Sequence, residues 1–194
     1  MEESSALTKG LAMNVLVAHA SRAGATAGIA ERIAATISSS GHEAVAREVA
    51  HAGDPSGYDA VVLGSAVYMG HWLKQAKAYA EQHRHALSSR PVWLFSSGPI
   101  GTSRVDDRGH DLLEVTAPQE LPDLVEALRP RDHHVFFGAL DPTKLSLAHR
   151  ALRRLPTGRK LLPEGDFRDW QDVERWAAEI ATQLSAAARE ESRP

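Results

Sequence analysis

The stretch from Met13 to Ile37 constrains the fold of this chain more than any other part of the sequence. An apolar run from Val15 to Ala20 ends abruptly in the small and polar residues 21–26, and a helical pattern follows at once. One face of that predicted helix carries Ile29, Ile33 and Ile37. A strand that leads through a small-residue loop into a helix points unpaired backbone N–H groups and the positive end of the helix dipole at a bound anion. The stretch therefore predicts a strand, an anion-binding loop and a helix.

The composition of the loop indicates which anion it binds. Ser21 and Thr26 supply hydroxyl groups, and Gly24 can adopt the positive φ angle that other residues resist. A Walker-type nucleotide loop needs a Gly-Lys-Ser/Thr ending, and a dinucleotide fingerprint needs three glycines in G-x-G-x-x-G spacing. The sequence has neither of these patterns. We expect a site for a single terminal phosphate, as on FMN, with an ordinary strand-to-helix turn as the alternative.

Length and composition indicate one globular α/β domain. The chain has 194 residues, 43% of them hydrophobic and 24% charged, and its net charge of −3 gives no general affinity for nucleic acid. Cysteine is absent, which excludes disulfides, thiolate metal sites and cysteine nucleophiles. The polar start of the sequence does not resemble a signal peptide, so we expect a cytoplasmic protein. Residues 1–12 are predicted to be a flexible leader, 13–188 the domain and 189–194 a tail.

Strand and helix patterns alternate along the rest of the chain. Helical patterns follow the first, third and fourth apolar runs, and a last helix is predicted to begin after Asp169, a candidate N-cap residue. The four further predicted strands are His42–Ala50, Asp59–Gly64, Pro91–Phe95 and His134–Leu140. This alternation is typical of a doubly wound, five-stranded parallel sheet in a three-layer α/β/α arrangement, and we expect the strand order 2-1-3-4-5. The link at residues 51–58 is too short for a full helix, so we expect a reduced turn there.

Two further loops are expected to meet the phosphate loop. In such sheets, ligands bind beyond the carboxyl ends of the strands, at the switch point between strands one and three. The third strand is followed by Tyr68, Gly70 and Trp72 within residues 64–72, and the fourth by the hydroxyl- and glycine-rich residues 96–103. An aromatic slot beside a hydrogen-bonding loop suits a flat tricyclic ring, although either aromatic residue can instead belong to the core.

These motifs resemble the flavodoxin family. Ser21, Gly24, Thr26 and Ala30 fit its phosphate-loop signature, while His19 stands where an aromatic residue is usual. Within the family, the chain is most similar to the flavodoxin-type, quinone-dependent protoporphyrinogen oxidases. The order of three short motifs carries this likeness, namely Gly70–Trp72, Gly138–Leu140 and Asp169–Trp170. Tyr68 and Met69 depart from the basic and aromatic pair usual in those oxidases.

The resemblance implies a tightly bound FMN and assigns its contacts. The phosphate would lie on Ser21, Arg22, Ala23, Gly24, Ala25 and Thr26. The ring would lie between a loop of Ser65, Ala66, Val67, Tyr68, Met69, Gly70 and His71 and a loop of Ser96, Ser97, Gly98, Pro99, Ile100 and Gly101. The Met69–Gly70 peptide is the one expected to turn when the flavin is reduced, because glycine tolerates both orientations. His71 either donates a hydrogen bond or a proton near the flavin or caps the next helix, and we favour the cap. No metal site is expected.

A basic insertion is predicted at about residues 141–166. Within it, residues Lys144 to Lys160 carry six lysine and arginine residues and none that is acidic, interleaved with leucines. A short basic amphipathic helix can rest on an anionic membrane surface near a quinone. It can equally bind the carboxylates of a porphyrin-like substrate, or form a solvated face over an ordinary core contact.

The leading hypothesis is an FMN-dependent oxidoreductase that passes electrons from an organic substrate, such as a porphyrinogen, to a quinone or another acceptor. One alternative is a flavodoxin-like electron-transfer protein without a small-molecule substrate. Strongly acidic surfaces are usual in such carriers for docking on basic partners, and this chain is only mildly acidic. The other alternative is an interaction domain that holds no flavin.

Overall fold

A parallel sheet of five strands forms the centre of the computed structural model, which describes residues 12–105, 108–144, 151, 154–155 and 163–191. In chain order, the strands of the main sheet are β1 (Asn14–Ala20), β2 (Glu43–Glu48), β3 (Ala60–Tyr68), the short β4 (His71–Trp72), β5 (Val92–Ser97) and β6 (Asp132–Phe136). The parallel order is β2-β1-β3-β5-β6, and β4 pairs antiparallel with β3. This order confirms the prediction for the five main strands.

Helices cover both faces of the sheet. The described helices are α1 (Ala25–Ser39), α2 (Lys74–Gln82), α3 (Arg84–Ser88), α4 (Leu112–Val115), α5 (Leu121–Leu128) and α6 (Trp170–Glu191). The Asp169 side chain accepts hydrogen bonds from the N–H groups of Gln171 and Asp172, at 3.0 and 3.1 Å, and so caps α6 as predicted. No helix in the described part of the chain is long and apolar enough to cross a membrane.

Alternation along β1 divides the core into two layers. Val15 and Val17 pack on the side of α1 and α6, whereas Leu16 and Ala18 pack on the side of α2, α3 and α5. The predicted isoleucine face of α1 (Ile29, Ile33 and Ile37) is fully buried in the first layer. Burying a side chain of this size stabilises the fold by about 1.5–3 kcal/mol. The layer thereby fixes α1, and with it the loop at its N-terminus, against the sheet.

Four of the predicted strand ends are wrong, and the first of them is that of β2, which ends at Glu48 and not at Ala50. β3 continues to Tyr68 and β5 to Ser97, because their backbones keep pairing through Ser65–Ser96 and Ala66–Ser97. Ladder hydrogen bonds join backbone groups, so small and polar side chains do not end a strand that has a partner. The fifth strand starts earlier and ends at Phe136, and the chain beyond it forms a separate strand.

The link between β2 and β3 is the reduced turn that the sequence predicts. A single 3-10 turn occupies Pro55–Gly57, and the Asp54 side chain caps it by accepting from the Ser56 N–H at 2.9 Å. The Arg90 guanidinium donates to the carbonyl oxygens of Pro55 and Tyr58, at 2.7 and 2.6 Å. These contacts hold a crossover that has no helix of its own.

A two-stranded stem closes the insertion. The strands β7 (Ala139–Leu140) and β8 (Gly165–Asp166) pair antiparallel, so the chain leaves and re-enters the domain at one place. The predicted basic helix within 144–160 falls largely outside the described residues, as do the leader up to residue 11 and residues 192–194. The predicted domain end at residue 188 lies inside α6, which continues to Glu191.

Candidate functional site

The loop between β1 and α1 has the geometry of an anion site. Gly24 is the N-cap residue of α1 and adopts φ 89°, in the left-handed region that favours glycine. Its N–H donates to the Ser21 hydroxyl oxygen at 3.0 Å, which closes the turn. Within the described ranges, no side chain caps the first N–H groups of α1. Those groups and the helix dipole are therefore available to a phosphate.

The phosphate loop lies next to the end of β3. The Arg22 guanidinium carbon sits 5.3 Å from the centre of the Tyr68 ring, which gives a cation–π contact. Tyr68 remains 38% exposed, so part of its ring is open to a ligand. Thr26, in the first turn of α1, is buried. The structure thus brings together the first two of the three predicted loops.

The predicted loop from Ser65 to His71 is a strand followed by a two-residue turn. Ser65, Ala66 and Val67 belong to β3, and the Ser65 hydroxyl donates to the Ala66 carbonyl at 2.9 Å and accepts from the Leu73 N–H at 3.0 Å. Their side chains are therefore parts of the strand, not of a flexible loop. The turn itself is Met69–Gly70, with φ angles of 52° and 78°. Positive φ at both central residues is the requirement of a type I′ hairpin.

Residues before α5 hold this hairpin turn from outside. The Gln119 N–H donates to the Gly70 carbonyl oxygen at 2.8 Å. Glu120 accepts from the His71 Nδ1 at 2.8 Å, from the Lys77 Nζ at 2.8 Å and from the Trp72 N–H at 3.2 Å. Burial opposes ionisation of Glu120, yet the hydrogen bonds from Lys77 and His71 lower the pKa of its carboxyl to about 2.

His71 does not cap the next helix, so the favoured interpretation of that residue is wrong. Its ring bonds to Glu120, and the N-cap position of α2 is taken by Leu73, which makes no side-chain capping bond. Trp72 is 2% exposed and packs in the core, so it offers no open face for stacking. The short spacing to the turn places His71 and Trp72 in β4, where alternate side chains point to opposite faces.

The serines after the fourth predicted strand face the interior. Ser96 and Ser97 are the last residues of β5 and are buried. The Ser96 hydroxyl accepts from the Trp72 Nε1 at 2.8 Å and lies 2.9 Å from the His133 Nε2 on β6. Burial lowers the pKa of His133 to about 4, so its ring is neutral near pH 7 and Nε2 can accept the Ser96 proton.

The third loop therefore begins at Gly98 and not at Ser96. Its backbone is anchored on the chain after β6, since the Gly98 N–H donates to the Phe136 carbonyl at 3.1 Å and the Gly138 N–H to the Pro99 carbonyl at 2.8 Å. Gly101 adopts φ 132°, and a side chain built there would meet nothing within 4 Å. The loop reaches open space at that point, beyond the end of the sheet.

Arg168 is a residue of this region that the sequence patterns did not indicate. Its Nη1 donates to the Ala25 carbonyl at 3.2 Å, and its guanidinium forms a two-point ion pair with Asp166 at 2.7 and 2.6 Å. The guanidinium also lies 4.4 Å from the Trp170 ring centre. A cleft of about 380 Å³ lies between the phosphate loop and the β7–β8 stem, and Arg168 lines it. A contact 143 residues apart in sequence has no local signal.

Two further observations concern the polar groups outside these loops. In the described ranges, no cluster of three or more histidine, aspartate or glutamate residues is arranged to hold a metal ion. His19, at the end of β1, is 8% exposed, and its Nδ1 has no hydrogen-bond partner within the part of the chain that the structure describes. Burial lowers the pKa of His19.

Comparison with known proteins gives the context of this geometry. The sequence model of a family described as the flavodoxin domain matches residues 16–157. The structure is similar to that of a flavodoxin from the domain Archaea, with a TM-score of 0.56 and 15% identity over 89% of this chain and 99% of that one. Oxidised flavodoxin 2 from Bacillus cereus gives a TM-score of 0.55 and 18% identity over 88% and 99% of the two chains.

A larger protein contains a similar fold. Rubredoxin oxygen:oxidoreductase from the anaerobe Desulfovibrio gigas matches with a TM-score of 0.56 and 12% identity, over 89% of this chain and 36% of that one. No curated protein matches the chain. Because these identities lie between 12% and 18%, the structural matches establish the fold alone. The match to the family model is a match of the sequence itself, over residues 16–157.

Proposed function

Because the chain belongs to the flavodoxin family, whose cofactor is FMN, we propose that it is an FMN-dependent oxidoreductase acting on an organic substrate. The proposed substrate carries carboxylates, as a porphyrinogen does, and the proposed acceptor is a quinone or another oxidant. Bound FMN supplies the redox chemistry, and the protein binds and orients it.

The residues of the phosphate loop fit this cofactor. Gly24 has a left-handed backbone conformation, Ser21 closes the turn, and no described side chain caps the start of α1. The first N–H groups of α1 would therefore hold the phosphate. Arg22 stands at the same loop and places a positive charge over Tyr68. The partly exposed Tyr68 ring and the turn at Met69–Gly70 would contact the flavin ring from one side. The loop from Gly98 to Gly101 would contact it from the other side.

One observation favours an enzyme over a simple electron carrier. The β7–β8 stem lies beside the phosphate loop. The cleft between them is lined by Ala23, Gly24 and Ala25 on one side and by Leu140 and Gly165 on the other. Residues 144–160, between the two stem strands, carry six basic side chains and no acidic one. The proposed role of this segment is to bind a carboxylated substrate next to FMN, because arginine and lysine pair with carboxylates.

The stem allows a clean deletion. Leu140 pairs with Gly165 in an antiparallel register, so replacing residues 141–164 by Asn-Gly leaves a two-residue hairpin of the kind that favours a type I′ turn. We expect this variant to retain FMN through gel filtration and to lose porphyrinogen oxidation with a quinone acceptor. A matched pair of triple variants refines the test. Arg150, Arg153 and Arg154 become glutamine in one, and the exposed Arg47, Arg84 and Arg189 become glutamine in the other.

The outcomes separate the three hypotheses. The enzyme hypothesis is supported if the deletion and the first triple variant lose substrate turnover while the second triple variant keeps it, and if all three retain FMN. The electron-carrier hypothesis is supported if the intact protein does not turn over the substrate and if the variants exchange single electrons with a redox dye as fast as the intact protein does. Intact protein that stays colourless after incubation with FMN contradicts both. Sedimentation with anionic vesicles, in the same variants, tests whether the basic segment also contacts a membrane surface.

A further inference from the structure

The turn at Met69–Gly70 is too small to fix its own orientation. β4 has only two residues and pairs with β3 at two positions, Val67–Trp72 and Tyr68–His71. The Met69 side chain is 96% exposed and contributes almost no burial. A ladder this short is marginal in water without further contacts. The orientation of the turn must therefore depend on groups outside the hairpin.

Those groups are the two residues that precede α5. Gln119 bonds through its N–H to the Gly70 carbonyl, and the Glu120 carboxylate bonds to the His71 ring and to the Trp72 N–H. Gly70, His71 and Trp72 are thus each held by a hydrogen bond. On the basis of the proposed FMN function, we infer that Glu120 is a positioning residue. Together with the Gln119 N–H, it sets the orientation of the Met69–Gly70 turn toward the flavin.

The pattern of contacts divides the turn into a fixed and a free peptide. The Gly70–His71 peptide is held through its carbonyl oxygen by Gln119. Among the described residues, neither Gln119 nor Glu120 forms a hydrogen bond to the Met69–Gly70 peptide. Rotation is therefore confined to the one peptide that lies at the tip, between two residues with positive φ.

The negative charge of the Glu120 carboxylate strengthens its contacts with the hairpin. Glu120 is 17% exposed in its side chain and is paired with Lys77 of α2 as well as with His71. Hydrogen bonds to an ionised carboxylate are roughly twice as strong as those between neutral groups. The pair with Lys77 also links the start of α5 to α2.

The test compares Glu120→Gln and Glu120→Ala with Glu126→Gln, which removes an exposed carboxylate from α5, the helix that Glu120 precedes. Glutamine has one acceptor oxygen in place of two. When that oxygen accepts from the Trp72 N–H, the NH2 group takes the place of the oxygen that accepts from Lys77 and His71. Hydrogen exchange of the Gln119 and Trp72 amides is measured in the apo protein. Affinity for oxidised and for reduced FMN is measured in the reconstituted protein.

We expect amide exchange at Gln119 and Trp72 to accelerate about tenfold in Glu120→Ala, and less in Glu120→Gln. The ratio of the affinities for oxidised and reduced FMN should change about fivefold in Glu120→Ala, because the two states place different demands on the turn, and should stay unchanged in Glu126→Gln. Unchanged exchange overturns the positioning role, and so does faster exchange with an unchanged affinity ratio. If Glu120→Ala does not fold, the same two criteria apply to Glu120→Gln. Wild-type protein that retains no FMN contradicts the proposed function, whereas the exchange measurement still decides whether Glu120 holds the turn.

Discussion

The two sides of the candidate site are held in different ways. The phosphate loop is stabilised by its own neighbours in sequence, since β1, the loop and α1 are contiguous and the buried face of α1 fixes the loop on the sheet. The hairpin turn is stabilised by Glu120, which lies 48 positions from Trp72 and 49 from His71 in the sequence and contacts both. A contiguous motif can be predicted from the sequence, whereas the support of a turn by distant polar groups is seen only in the folded chain.

The two sides also differ in the forces involved. Apolar burial supports the phosphate loop, and burial of this kind does not depend on pH. Hydrogen bonds of Ser96, His133 and Glu120 support the hairpin, and these depend on protonation. Substitutions and pH should therefore affect the two sides separately.

The largest effect is expected at Gly24. Gly24→Val places a β-branched residue at φ 89°, a conformation that such residues adopt very rarely. Loss of the loop geometry should weaken FMN binding on the order of 1000-fold, about 4 kcal/mol, since several charge-assisted hydrogen bonds to the phosphate depend on it. Fluorescence titration of the apo protein with FMN measures the change.

Gly41→Val is the matched control for this substitution. Gly41 adopts φ 96° beyond the other end of α1, with nothing within 4 Å of a new side chain, so the backbone penalty is similar. Both variants should lose similar amounts of unfolding free energy, and only Gly24→Val should lose FMN. Equal loss of FMN in both would show that the phosphate loop has no special role.

The second effect is a loss of stability in mild acid that originates at His133. The pKa of this residue is about 4 in the folded chain, against an ordinary value of 6.5. As pH falls, the unfolded chain therefore takes up the proton first, so stability is complete above pH 6.5 and is lost between 6.5 and 4. A difference of this size corresponds to about 3 kcal/mol. Protonation also removes the acceptor for Ser96, which bonds to Trp72 of the hairpin.

Urea unfolding at several values of pH measures this effect. His133→Gln should reduce the loss between pH 6.5 and 4, to which His19 also contributes because burial lowers its pKa, and His85→Gln, at an exposed histidine of α3, should leave it in place. The Glu120 carboxyl, with its pKa of about 2, contributes in a separate window below pH 4.5, the ordinary value for this group. An acid profile that is identical in His133→Gln and in the wild type would contradict the assignment.

The smallest effect is expected at the turn itself. Gly70→Ala introduces a side chain at φ 78°, with its Cβ 3.3 Å from the Gln119 Nε2. We expect a loss of about 1 kcal/mol of unfolding free energy, because the left-handed conformation disfavours alanine. Gly53→Ala, at φ 67° with nothing within 4 Å, should lose a similar amount.

FMN binding distinguishes the two glycines. Only Gly70→Ala should weaken it, by a few fold, since only that residue is in the turn proposed to contact the ring. Adding Gln119→Ala to Gly70→Ala should recover part of the loss by relieving the close approach, which a double-mutant cycle measures. A loss of FMN affinity in Gly53→Ala equal to that in Gly70→Ala would contradict the proposed contact.

The serines at the ends of β3 and β5 show why those two strand ends could not be predicted from the sequence. Ser65, Ser96 and Ser97 were predicted to lie in loops because they are small and polar, but paired backbones keep them in strands. The sequence left open whether Trp72 lines the slot or belongs to the core, and the structure places it in the core, where it donates to Ser96. Side-chain type does not reveal which backbone groups have a partner strand, since the partner lies some thirty residues away in sequence.

The sequence by itself determined the parallel sheet and its order, the strand, loop and helix of residues 14–39 and the capped start of α6. Each of these depends on periodicity or on residues within a few positions of one another, such as Asp169 and the N–H groups that it caps. Only the tertiary structure decided the support of the hairpin by Gln119 and Glu120, the buried link from Trp72 through Ser96 to His133, and the position of Arg168 beside the phosphate loop. Polar contacts of this kind form when distant segments are brought together by burial of the apolar layers, so they leave no pattern in the local sequence.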